Sequence, residues 1–268
     1  MISTPRGRSG HRFTKEESIN NMEIRYFKHY STKLGRDMEF KVYGSGSGKP
    51  VMFIPCQAGR FFDFEGFKMH ETWSQWIDAG QCTVYSIDCL DEIAWAAQGA
   101  DNRWRIENHE RWYNYIVEEM IPTIRSMSGD QRVLTFGCSM GAMHAANLFF
   151  RRPDLFCGCF AISGLYDNKE FFGDYCDDLV YNNCPNLYLA NLPHDHYYMD
   201  MYRNSDILIV CGQGAWEEPL LASTRWLDSV CKSKGIPARI EYWGLDVNHD
   251  WPWWHKMVHV YAPQLLHV

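Results

Sequence analysis

The sequence predicts an α/β fold, a mostly parallel sheet covered by helices on both faces. Three observations predict it. Strand-like apolar runs alternate with helix-like stretches, the central runs are apolar throughout, and one strand passes into a helix through Gly137-Cys138-Ser139-Met140-Gly141.

The elements follow in order. Strands near 23–31 and 37–43 form an initial antiparallel pair. Gly44-Ser45-Gly46-Ser47-Gly48-Lys49-Pro50 is then a flexible connection and no phosphate loop, because Pro follows the lysine and a strand comes next. That strand, Val51-Met52-Phe53-Ile54, is bounded by Pro50 and Pro55. A helix near 69–79, a strand near 82–87 and a helix near 108–127 lead to the strand Arg132-Val133-Leu134-Thr135-Phe136 and the helix-like run from Ala142 to Phe150. Phe156 to Ser163 reads as the next strand. The segment after it, rich in Tyr, Asn, Asp and His, predicts a lid-like insertion near 164–205. A buried strand at 205–211, a helix at 220–234 and a strand at 238–243 complete the map.

With 268 residues the chain is long enough for one large core, so residues 22–268 are expected to form a single domain. Residues 1–21 are polar and basic without an apolar core segment; they are expected to be a disordered extension, with Met22 a second start. The net charge of −7, without a basic patch or nucleic-acid signature, argues against nucleic acid as a partner. No apolar run is long enough to span a membrane. Ten cysteines without a secretory signal point to reduced thiols and a cytoplasmic location. No C-x-x-C occurs, and His194-Asp195-His196 reads as a polar loop or rim; no metal and no cofactor are expected. The oligomeric state is not legible.

Strand, Gly-x-Ser-x-Gly and helix form the layout of a nucleophile elbow, in which a sharp turn exposes the central hydroxyl and glycines let strand and helix approach. Ser139 is therefore the candidate nucleophile, and Cys138 beside it a buried small hydrophobe. A neutral serine needs a base, and the base needs a carboxylate to fix its tautomer. Both lie downstream in the order the elbow requires. Gly212-Gln213-Gly214-Ala215-Trp216-Glu217-Glu218-Pro219 leaves the carboxyl end of the 205–211 strand, offering Glu217, preferred as nearer the strand end, or Glu218 as the acid. Asp246 and Asp250 stand as further alternatives. His249 sits where the general base belongs. For the oxyanion hole, Met140 follows the nucleophile and Gln57 lies in the loop after the 51–54 strand. Phe61, Phe62, Tyr166 and Trp216 are candidate substrate contacts, since aromatic side chains combine apolar area with polar tips.

At these residues the chain resembles the esterase family of α/β-hydrolases that includes esterase D, feruloyl esterases and mycolyltransferases. Gly137-Cys138-Ser139-Met140-Gly141 is similar to its elbow, Asn248-His249-Asp250-Trp251-Pro252-Trp253-Trp254 to its histidine segment, and Val210-Cys211-Gly212-Gln213-Gly214 to the strand end before its acid. The resemblance spans roughly residues 22–268. Pro55-Cys56 stands where many members carry His-Gly. The resemblance implies the α/β-hydrolase fold, a small ester as substrate, and a serine acyl-hydrolase or acyltransferase; a non-catalytic binding protein on the same fold is the alternative from another class.

Overall fold

Eight strands form one sheet in the computed structural model, which describes residues 22–268; the extension expected at 1–21 lies outside the described residues. The strands are β1 Ile24–Ser31, β2 Arg36–Tyr43, β3 Lys49–Ile54, β4 Cys82–Ile87, β5 Val133–Cys138, β6 Phe156–Ile162, β7 Asp206–Cys211 and β8 Arg239–Tyr242. Their order is β1-β2-β4-β3-β5-β6-β7-β8. β1 and β2 pair antiparallel, β2 pairs antiparallel with β4, and every later pairing is parallel.

The helices that cover the sheet are α1 Met69–Asp78, α2 Asn102–Tyr115, α3 Ile121–Ser128, α4 Met140–Arg151, α5 Glu218–Lys234 and α6 Trp251–Leu266, with shorter turns between them. Successive strand residues point to opposite faces, so each strand feeds two cores. On one face Val51 and Phe53 pack with Trp73 and Trp76 of α1 and with Trp254 and Met257 of α6. On the other, Met52 and Ile54 pack with Ile116, Ile124 and the alanine face of α4. Covered twice, β3 and β5 are buried along nearly their whole length, which is why they read as continuous apolar runs.

Two helical boundaries differ from the sequence reading. The helix expected near 108–127 starts at Asn102, because the Asp101 carboxylate accepts from Trp104 N at 2.8 Å and caps it. It is also broken by a π turn at Ile116–Met120. Pro122 supplies the reason, since it has no N–H to give to the preceding turn and the ladder widens around it. The map also lacked α6, whose start is capped by Asp250 accepting from Trp251 N at 2.7 Å.

Candidate active site

Ser139 stands between β5 and α4 with φ 57° and ψ −126°, a strained backbone for a side-chain-bearing residue. The glycines on either side allow it. A Cβ on Gly137 would lie 2.3 Å from the Gly141 carbonyl carbon, and one on Gly141 would lie 2.2 Å from Ile54 O. The start of α4 thus touches both the end of its own strand and the end of β3, and the serine is lifted over the carboxyl edge of the sheet.

His249 arrives from the loop after β8. That loop is laced to the loop after β7: Gly214 N donates to Val247 O at 2.8 Å, Ala215 N to Asn248 Oδ1 at 2.8 Å, and His249 N to Ala215 O at 3.0 Å. A Cβ on Gly214 would fall 2.7 Å from the backbone oxygen of Val247, so a side chain there would force the two loops apart. The imidazole packs edge-on to Trp254, ring centroids 4.9 Å apart. Its Nε2 lies 3.0 Å from Ser139 Oγ and its Nδ1 lies 3.4 Å from Glu217 Oε2.

Glu217 is 0% exposed. A buried carboxylate needs donors, and it has them. Ser163 Oγ donates to Oε1 at 2.6 Å, and the Cys211 thiol lies 3.6 Å from Oε2. Neither partner was anticipated, although both follow from position: Ser163 immediately follows β6, and Cys211 ends the neighbouring β7. Glu218, the alternative acid, is exposed in the first turn of α5, where its charge complements the helix dipole. Asp250 is spent on capping α6.

A cavity of about 290 Å³ opens over Ser139 and His249 and is lined on one side by Gln57 and Met140. Trp216, 80% exposed and with φ 69°, stands at its rim. Three expected substrate contacts are elsewhere. Phe61 is nearly buried, its N–H held by Asp88 Oδ1 at 2.9 Å and its ring against Tyr26 and Phe62. Phe62 follows it onto the outer surface, 47% exposed and outside the cavity lining. Tyr166 is wholly buried in the core beside α4. Aromatic residues suit a core as well as a pocket, so type alone could not separate the two. The lining instead includes Ala96 and Gln98, after β4, and Leu165, Glu170 and Phe171, after β6. The segment expected as a lid therefore contributes only its first residues to the cavity lining.

Thiols near the serine are kept protonated. Burial pushes the Cys138 thiol well above its ordinary range and the Cys56 thiol up to about 12. Both thiols are therefore held in the neutral form at neutral pH. The arrangement can polarise a serine hydroxyl beside a cavity of small-molecule size.

A family model described as "Putative esterase" matches residues 31–264. No curated protein matches the chain. Among solved structures, a ferulic acid esterase is 16% identical, with a TM-score of 0.71 over 92% of this chain and 98% of its own. An S-formylglutathione hydrolase from Agrobacterium tumefaciens is 14% identical, with a TM-score of 0.71 over 93% and 96%. A fluorophosphonate-binding serine hydrolase from Staphylococcus aureus is 13% identical, with a TM-score of 0.62 over 91% and 98%. At such identities the likeness is one of fold. The family match, covering most of the sequence, says more: the chain belongs to this esterase family of the α/β-hydrolase fold and is an ester-hydrolysing enzyme.

Proposed function

We propose that the protein hydrolyses small carboxylic esters through an acyl-enzyme on Ser139, with His249 as general base and acid and Glu217 as the carboxylate that orients it. The observation that carries this reading is the file of three side chains, Ser139 Oγ to His249 Nε2 at 3.0 Å and His249 Nδ1 to Glu217 Oε2 at 3.4 Å. In the first step His249 takes the hydroxyl proton as Oγ bonds to the ester carbonyl carbon. The backbone N–H groups of Met140 and Gln57 receive the oxyanion, and the alcohol leaves with the proton from His249. Water, deprotonated by the same imidazole, then releases the acid. Glu217 keeps its charge throughout and stabilises the imidazolium. Trp216 at the rim is read as a substrate contact, and residues 164–205 as a partial roof to the cavity.

A fluorophosphonate probe and a short aryl ester test it. The probe is expected to label Ser139, and Ser139→Ala to lose both labelling and hydrolysis while melting like the parent. Labelling at Cys138, or an active Ser139→Ala enzyme, would remove the proposal.

A further inference from the structure

Arg105 of α2 is only 2% exposed, yet the oxygens it binds are all neutral. Its Nε donates to Ala94 O at 3.2 Å, one terminal nitrogen to Asn102 Oδ1 at 2.8 Å, and the other to Trp95 O at 2.6 Å and Phe171 O at 2.9 Å. The guanidinium also lies over the Phe172 ring, 4.3 Å from its centroid. Taking a cation out of water without a counter-charge is expensive, and here all three guanidinium nitrogens, through four of their five N–H groups, have oxygen partners.

The carbonyls it gathers belong to two segments far apart in sequence. One is the irregular stretch after the 3-10 turn Asp91–Ile93, which carries Ala96 and Gln98 into the cavity. The other is the four-residue helix Lys169–Phe172, which carries Glu170 and Phe171 into it. Neither belongs to the sheet. Between them, Trp95 meets Phe171 and Phe172 edge-on, with centroids 6.0 Å and 4.9 Å apart, and Gln98 Nε2 reaches Glu170 O at 3.4 Å. A planar donor fork suits such a junction, since it can bind several carbonyls in fixed directions.

We propose that Arg105 is a positioning residue for substrate selection, clamping these two segments into the wall of the cavity shared with Ser139 and so setting the bulk of the group that the ester can place there. This rests on the reading of Ser139 given above. None of Arg105's hydrogen bonds reaches Ser139 or His249, so loosening the clamp should impair the fit of a large group and leave bond-making intact.

The test compares the parent with Arg105→Met, which keeps apolar bulk, and Arg105→Lys, which keeps a cation and three donors. Each is assayed on 4-nitrophenyl acetate, on 4-nitrophenyl 3-phenylpropanoate with a bulky acyl group, and on 1-naphthyl acetate with a bulky alcohol. Fluorophosphonate labelling rates are measured alongside. For Arg105→Met the KM of at least one bulky ester is expected to rise about tenfold with kcat little changed, while the 4-nitrophenyl acetate constants and the labelling rate hold. Arg105→Lys should fall between, and it decides the matter if the methionine variant does not fold. A folded variant in which all three esters change in proportion, or none changes, would overturn the clamp. Failure of the parent to be labelled or to cleave any ester would instead remove the reading of Ser139, and the clamp's role with it.

Discussion

Ser163 Oγ donates to Glu217 Oε1 at 2.6 Å, tying the end of β6 to a carboxylate carried by the loop after β7. Ser163 itself holds φ 55°, a costly backbone for a residue with a side chain. Its amide donates to Val210 O at 2.7 Å, so both its backbone and its hydroxyl are fixed toward the neighbouring strand. A hydrogen bond to a buried charge contributes about 1.5–3 kcal/mol. Ser163→Ala is therefore expected to lower kcat roughly 10- to 100-fold by letting the carboxylate swing from His249. Steady-state rates on a short aryl ester check it; a parental kcat would show that Glu217 needs no such support.

The two adjacent glutamates should behave differently. Glu217→Gln keeps size but removes the charge beside His249, and turnover is expected to fall about 10³- to 10⁴-fold. Glu218→Gln, on the exposed first turn of α5, should stay within about twofold, with a loss of a few tenths of a kcal/mol from the helix terminus. Measured kcat and thermal melts for both variants decide it. A dead Glu218→Gln enzyme beside a normal Glu217→Gln enzyme would reassign the acid.

Gly141 has no room for a methyl group. Its Cβ would sit 2.2 Å from Ile54 O and 2.6 Å from Pro55 O, both backbone atoms that cannot move without shifting β3 and the Gln57 loop. Gly141→Ala is expected to destabilise the fold by about 1–3 kcal/mol and to cut activity more than stability, because the loop it displaces carries a proposed oxyanion donor. Urea unfolding beside ester hydrolysis reads both; an alanine variant with full activity would contradict the assignment of Gln57.

Stability should also depend on pH through His109. The ring is enclosed, stacked on His144 with centroids 5.0 Å apart and bonded at Nε2 to Asn183 Oδ1 at 3.1 Å. Burial first, then His144 and Arg151, holds its pKa well below the ordinary imidazole value. Above about pH 6.5 both folded and unfolded chains carry it neutral, and its contribution is level. As pH falls further the unfolded chain takes a proton that the native site refuses, so stability drops by about 1.4 kcal/mol per pH unit until the folded pKa is reached. Urea unfolding at about pH 7 and about pH 5 should show that slope, and His109→Gln should flatten it by one proton's worth. An unchanged slope in the variant would assign the acid sensitivity to other groups.

What the sequence determined by itself lies where chemistry demands a particular residue at a particular spacing. The continuous apolar runs of β3 and β5 announced a doubly covered sheet, and the glycines at 137 and 141 announced a strand-to-helix turn too close-packed for a side chain at either of those two positions. The order of Ser139, the Glu217-Glu218 pair and His249 could be read because strands must present such groups at one edge of the sheet. The preference for Glu217 over Glu218 rested only on its place nearer the strand end, since adjacent residues share a sequence context while their side chains point in different directions. Only the packing of the β7 loop against Val247 and Asn248 turned Glu217 inward and left Glu218 to solvent. The cavity wall was hidden for a related reason. Phe61, Phe62 and Tyr166 have the right chemistry but are claimed by the core or the outer surface, whereas Ala96, Gln98 and Phe171 meet at the cavity through a buried arginine that joins segments some 70 residues apart. Contacts between distant segments are made by the folded chain's geometry, and local pattern carries no record of them.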